Sequence, residues 1–324
     1  MSTSRGHRSG PVDRFFLKHR PATGFILDFE GALPDSHELA ARTVRRAVGL
    51  PALNHLLPTQ DEKRWRPREQ RLDEAVHIRF HTGLPALEDL DAATNEVLFR
   101  PLPDGPHPPW DVRLLSGQDT GRFRLCYRIH HAIQDGVGAA YTVLALFSDT
   151  EAVGPHLHRA ALPTAAGALR VLREFLLTSR HKRHWPELRA APSRRWLWAY
   201  QDVSAVRVRS VADAYGASVN ETCLAALAQA FRRWRHGNEH DGPTCPDLPA
   251  LVPMSTRLAQ ERLAPGNRLV SHRLSLPCSA EELDEAVNRV RDRRRRSGHP
   301  GCATPPASLS HLSPPASASG RPVG

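Results

Sequence analysis

The residues best suited to chemistry are His130-His131-Ala-Ile-Gln-Asp135-Gly136. An imidazole can take up a proton near neutral pH because its ordinary pKa lies close to that range. A carboxylate placed at the start of a following helix, as Asp135 would be, can accept from free backbone N–H groups or pair with an arginine and so hold the turn in shape. Gly136 permits a backbone conformation or a close approach that a side chain would block. The chemistry on offer is general-base catalysis. The purely structural alternative is a histidine pair that closes a strand and bonds to nearby carbonyls.

Two elements must hold this motif in place. Residues 122–130 alternate, with Phe123, Leu125, Tyr127 and Ile129 on one face, which is the pattern of a strand. By parity His131 rather than His130 continues that apolar face, but the turn interrupts the alternation, so parity leaves both histidines as candidates. A helix is expected from Gly136, with Val137, Ala140, Tyr141, Leu144 and Phe147 as its core-facing stripe.

Upstream, the pattern predicts a strand over 24–31, a helix over 36–48 capped by Ser36, a strand over 76–80 and a helix over 85–99. The Pro-rich stretch 101–109 ends that helix, and a strand over 110–115 and a turn over 117–121 lead into the motif strand. Residues 151–195 read as a helical connector. Its amphipathic part, 165–179, suits either a docked helix or a helix lying on a membrane surface. Beyond it come a strand over 196–201, helices over 203–215 and 220–234, strands over 248–253 and 268–276, and a helix over 280–293. Residues 298–324 carry six Pro, five Ser and no acidic residue, so a disordered tail is expected.

Composition narrows the function classes. Lys+Arg number 44 against 34 Asp+Glu, a net charge of +10, and all but Lys18, Lys63 and Lys182 of the basic residues are Arg. Abundant Arg, Ala, Pro and Gly with little Lys is the imprint of a GC-rich gene, so the charge is weak evidence for an anionic partner. No helix-turn-helix, zinc-finger or RNA-recognition signature accompanies it, and no nucleic-acid partner is expected. The cysteines 126, 223, 245, 278 and 302 are odd in number and scattered, and the 18 histidines show no metal-ligand spacing, so neither a disulfide framework nor a metal site is expected. Without a long apolar run or the apolar core of a signal peptide, the expected compartment is the cytoplasm.

The motif and its surroundings resemble the wax ester synthase/diacylglycerol acyltransferase family, part of the larger group of CoA-dependent acyltransferases and condensation domains. Five more stretches match in the family's order: Val12-Asp-Arg-Phe-Phe16, the segment from Pro101-Leu-Pro to Pro109-Trp110-Asp111, Gly216-Ala-Ser-Val-Asn220-Glu-Thr, Val252-Pro-Met-Ser-Thr-Arg257 and Gly266-Asn267-Arg268. The resemblance implies an α/β, chloramphenicol-acetyltransferase-like fold of two subdomains. It implies a fatty acyl group passing from acyl-CoA, a co-substrate rather than a bound cofactor, to a diacylglycerol or long-chain alcohol, giving triacylglycerol or wax ester. His131 would be the general base, His130 supportive, Asp135 structural and Gly136 part of the turn. Asn220 and Asn267 would shape the substrate channel, their plainer alternatives being a helix cap and a turn residue. Peripheral association with the inner membrane or lipid bodies would suit such substrates.

The division expected from these matches is a disordered N-terminus over 1–10, an N-terminal acyltransferase subdomain over 11–150, the connector over 151–195, a partial C-terminal subdomain over 196–296 and the tail over 297–324. Because the family pattern stops after the helix that follows Gly266-Asn267-Arg268, a truncated or frameshifted member is expected. Competing readings are a condensation-like acyltransferase of secondary metabolism, using carrier-protein thioesters and an amine acceptor, and a catalytically impaired remnant or binding protein. The Pro109-Trp110 and Gly266-Asn267 segments favour the lipid branch.

Overall fold

The computed structural model describes residues 9–19, 21–58, 64–84, 87–117, 121–149, 185, 201, 203–237 and 245–296. They fall into two compact units. The first holds the described residues up to 149 together with Ser255–Leu269, and the second holds those between 160 and 254 and from 270 onward. Ser255–Leu269, which the sequence groups with the C-terminal subdomain, is thus part of the first unit.

The first unit runs α1 (Pro11–His19), β1 (Ala22–Glu30), α2 (Ser36–Val48), β2 (His55–Leu56), β3 (Arg66–Pro67), α3 (Glu74–His77), β4 (Ile78–Leu84), α4 (Leu87–Phe99), β5 (Trp110–Gly117), β6 (Arg122–His130) and α5 (Gly136–Phe147). Its main sheet has the order β1-β6-β5-β4, with β6 antiparallel to both neighbours and β4 parallel to β5. The motif strand is therefore central, and its register sets His130 opposite Ala22 at the end of β1.

Both faces of β6 are buried. Phe123, Leu125, Tyr127 and Ile129 join Trp65, Trp110, Val112, Leu114 and residues of α5 in the larger core. On the opposite face Cys126 packs with Leu90 and Val97 of α4 and with Leu115. That face also carries arginines. Arg124 bonds Asp28 at 2.6 Å and Asp91 at 2.7 Å, and Arg128 bonds Asp111 at 2.9 and 2.6 Å. Burial leaves these charges paired, because an isolated charge could not be held there.

Three local expectations change. Residues 76–80 are not one strand: Asp73 caps the short turn α3 by accepting from Ala75 N, and β4 starts at Ile78. Asp35, not Ser36, caps α2, accepting from Glu38 N at 2.8 Å. Asp35→Ala should therefore lower stability by about 1 kcal/mol, read as a shifted denaturant midpoint. The buried stripe of α5 is Gly138, Ala139, Thr142, Val143 and Leu146, whereas Val137, Ala140, Tyr141, Leu144 and Phe147 are only half-buried. Small residues let that side of the helix approach the sheet closely.

The second unit contains α6 (Ala205–Ala214), α7 (Val219–Gly237), β7 (Leu248–Ser255), β8 (Leu269–Leu276) and α8 (Leu283–Arg296), with β7 and β8 paired. Ala225, Ala228, Leu274, Leu276, Ala286, Val287, Val290 and Trp185 form its core. The arginine run at the end of α8 is largely engaged within the unit. Arg293 bonds Asp247, Arg294 bonds Glu221, and Arg291 donates to the carbonyls of Tyr215 and Gly216. Cys126 and Cys278 are buried free thiols whose pKa values burial pushes up to about 11 and about 12. The expected helix over 165–179, all but the last residue of the strand over 196–201, the first eight residues of the N-terminus over 1–10 and the tail over 297–324 lie outside the described residues. Among the described residues no helix is long and apolar enough to cross a membrane, and no metal-binding cluster of His, Cys, Asp or Glu occurs.

Candidate active site

Where β6 ends, the backbone is pinned from two sides. His130 N donates to the Pro109 carbonyl and His131 N to the Pro21 carbonyl, both at 2.9 Å. Ile133 N then closes a tight turn onto His130 O at 2.8 Å. The Pro-rich segment before β5 and the residue leading into β1 thereby clamp the motif, with no side chain involved.

The two histidines have different surroundings. His130 is buried, and its Nδ1 accepts from Ala132 N at 3.2 Å within the turn. His131 is half-buried and lies flat on Phe16 of α1, with ring centroids 3.8 Å apart and planes 16° from parallel. Its Nδ1 is 3.1 Å from Asn267 Oδ1. Asn267 in turn donates through Nδ2 to Asp13 Oδ1 at 2.9 Å, His131 O at 2.8 Å and Ala132 O at 3.2 Å. Asp13 is buried and also accepts from Asn267 N and Gly10 N.

Asp135 has a different role from the histidines. It caps α5, accepting from Gly138 N at 2.8 Å, and receives Arg257 Nη2 and Arg268 N on its other oxygen, each at 2.7 Å. Arg257 is buried too and donates to the carbonyls of Glu261, Ala264 and Gly266. Burial raises the Asp135 pKa, but the Arg257 guanidinium and the two backbone N–H groups outweigh it and hold the carboxyl below its ordinary value. Asp135 is thus an ionised anchor whose oxygens are committed to the scaffold.

Gly136 does not make the close approach suggested by its position in the motif. Its φ is ordinary, and a Cβ there would meet nothing within 4 Å. The tight glycine is Gly138, where a Cβ would lie 2.9 Å from Arg257 Nη2 and 3.0 Å from its Cζ. Gly136→Ala should leave stability within about 1 kcal/mol of the parent, on the stabilising side. Gly138→Ala should cost about 1–3 kcal/mol by displacing the guanidinium. Thermal melts of the pair, compared side by side, check both.

His131, Asp135 and Asn267 come together in the first unit, together with Asp13, Phe16, Arg257 and Arg268. Asn267 adjoins the imidazole, with its amide hydrogens used on the protein. Asn220 lies in the second unit, exposed in the first turn of α7. That helix is capped by Ser218, which shares a reciprocal box with Glu221, so Asn220 is not the cap either. Sequence reasoning passed over Asp13, Phe16 and Arg257 as side chains, although all three stand inside stretches it had singled out.

The family model of the wax ester synthase/diacylglycerol acyltransferase catalytic domain matches residues 23–183, a span that includes the whole histidine motif. Over that span the chain is similar to this family's catalytic domain. Two relatives from Mycobacterium tuberculosis H37Rv, both carrying the provisional name diacylglycerol O-acyltransferase, are 27% identical. They align over 61% and 70% of this chain and over 50% and 54% of their own lengths. The chain therefore spans about half the length of these mycobacterial relatives. Among solved structures, the wax ester synthase/diacylglycerol acyltransferase from Marinobacter aquaeolei VT8 matches with a TM-score of 0.54 at 22% identity, over 90% of this chain and 72% of that one. The first condensation domain of the CDA synthetase matches with a TM-score of 0.58 at 18% identity, over 91% and 74%. Both show the fold, the α/β two-subdomain acyltransferase architecture that the family resemblance implied.

Proposed function

We propose that the protein transfers a fatty acyl group from acyl-CoA to the hydroxyl of a diacylglycerol or long-chain alcohol, with His131 as the general base. The observation that carries this reading is the placement of His131: half-buried at the rigid end of a central strand, stacked on Phe16, with Nδ1 engaged by Asn267. Nε2 is then the nitrogen available to an acceptor. As the hydroxyl oxygen attacks the thioester carbonyl, its proton passes to Nε2, the C–S bond breaks, and the CoA thiolate leaves with that proton. A thioester is already activated, so the enzyme needs only a base and correct placement, and no acyl-enzyme intervenes. His130 supports the turn from within it, while Asp135 holds the strand-to-helix corner without entering the reaction. The acyl-CoA is a co-substrate, and no cofactor or metal takes part.

The family match favours lipid acceptors. The condensation-domain likeness carries fold alone and leaves amine acceptors as the second reading. Thiol release from palmitoyl-CoA, measured with dioleoylglycerol, hexadecanol or no acceptor, tests the proposal. Acceptor-dependent release with either lipid is expected; release only with an amine acceptor and a carrier-protein thioester would move the assignment to the condensation branch. Sedimentation with anionic vesicles checks the proposed peripheral attachment to membranes or lipid bodies.

A further inference from the structure

The amide of Asn267 can face His131 in one orientation only, and the reason lies in α1. Its nitrogen is surrounded by three acceptors, namely Asp13 Oδ1, the His131 carbonyl and the Ala132 carbonyl. Turning the amide over would point its oxygen at all three, including a buried carboxylate. The oxygen must therefore face His131, and because an amide oxygen only accepts, the imidazole must carry its proton on Nδ1. We propose that Asp13 is a positioning residue for His131: through Asn267 it selects the Nδ1–H tautomer and so leaves the lone pair on Nε2. This deepens the acyl-transfer reading and rests on it for its catalytic meaning, though the tautomer itself does not.

Two further contacts support the assignment. Asp13 is fixed in turn, because its Oδ2 accepts from Gly10 N at 2.7 Å and its Oδ1 from Asn267 N at 2.8 Å. One turn along the same helix, Phe16 stacks on the imidazole. Positions i and i+3 share a helix face, so α1 delivers both the ring that sets the plane of His131 and the carboxylate that sets its proton. The arrangement also keeps the negative charge one residue removed, so the group in direct contact with the base is neutral.

The test is the ¹⁵N spectrum of histidine-labelled protein above the imidazole titration range, with the His131 signals identified by their loss in His131→Gln. Wild type should show Nδ1–H and a bare Nε2. In Asp13→Asn the amide of Asn267 loses its directing charge. The Nε2–H form should then appear, and kcat for acyl transfer should fall about 10- to 100-fold, as for other groups that orient a histidine from behind, with KM changing less. Should Asp13→Asn fail to fold by circular dichroism, Asn267→Ala carries the same spectral readout. A wild-type His131 protonated on Nε2, or a folded variant that keeps the Nδ1–H form, would overturn the proposal. An Nδ1–H wild type that releases no thiol with any acceptor would instead overturn the acyl-transfer reading and leave the tautomer assignment standing.

Discussion

Replacing His131 by alanine should reduce acceptor-dependent thiol release about 10²- to 10⁴-fold, the usual contribution of a positioned general base. At about 1.4 kcal/mol per tenfold, that is a rise of roughly 3–5.5 kcal/mol in the barrier. The fold should survive the change. His131 is half-buried, its backbone N–H still reaches Pro21, and among the described residues the ring contributes the Asn267 bond and the Phe16 stack. A melting temperature close to that of the parent, combined with lost turnover, separates catalysis from stability. Unchanged turnover would remove His131 from the reaction. His130→Ala offers the contrast: His130 is buried in the turn, so its loss should lower the melting temperature as well as the rate.

Arg257→Ala should be the most damaging change to stability near the site. Asp135 would be left ionised, buried and without its main partner, a situation that costs about 3–5 kcal/mol. Asp135→Asn should do less harm, because an amide oxygen can still accept from Gly138 N, although the guanidinium then loses its counter-charge. The pair also makes stability depend on acid. Because the folded protein holds Asp135 below its ordinary pKa, the unfolded chain binds the proton first as pH falls. The stabilisation is therefore complete above the ordinary carboxylate range, near pH 4, and disappears as pH drops through the depressed value of the folded state. Urea midpoints measured from pH 7 down to 3 should decline less steeply in Arg257→Ala than in the parent. Parallel curves would show that the pair contributes nothing.

The sequence made some parts of this site legible, and physics explains which. The strand over 122–130 and the helix from Gly136 were readable because their signals are local: alternation, a capping carboxylate and a change of period. The partners of Arg124 and Arg128 had no local signal, because each meets a carboxylate supplied by a different element. The α5 stripe was inverted because large apolar residues draw attention while Gly138 and Ala139 achieve the closest packing. Family-like stretches around Asp13, Arg257 and Asn267 were visible, but their link to the histidine motif was not. Asp13 and Asn267 are 254 positions apart, and no periodicity encodes such a pairing. The bond that Asn267 makes to His131 was equally hidden.

The return of residues 255–269 into the first unit has a consequence for the order of events on the ribosome. Asp135 leaves the exit tunnel 122 residues before Arg257, about 6 to 25 s at ordinary rates of synthesis. Throughout that interval the strand-to-helix corner has its cap but no guanidinium, and His131 has no Asn267 to orient it. The nascent chain must then either keep the Asp135 carboxylate in water or protonate it, so a settled corner is a late, post-emergence event. Because the pair closes a long loop, it adds to contact order and slows folding. A nascent chain stalled at residue 250 should accordingly be protease-sensitive around the histidine motif, and one stalled well beyond residue 268 resistant.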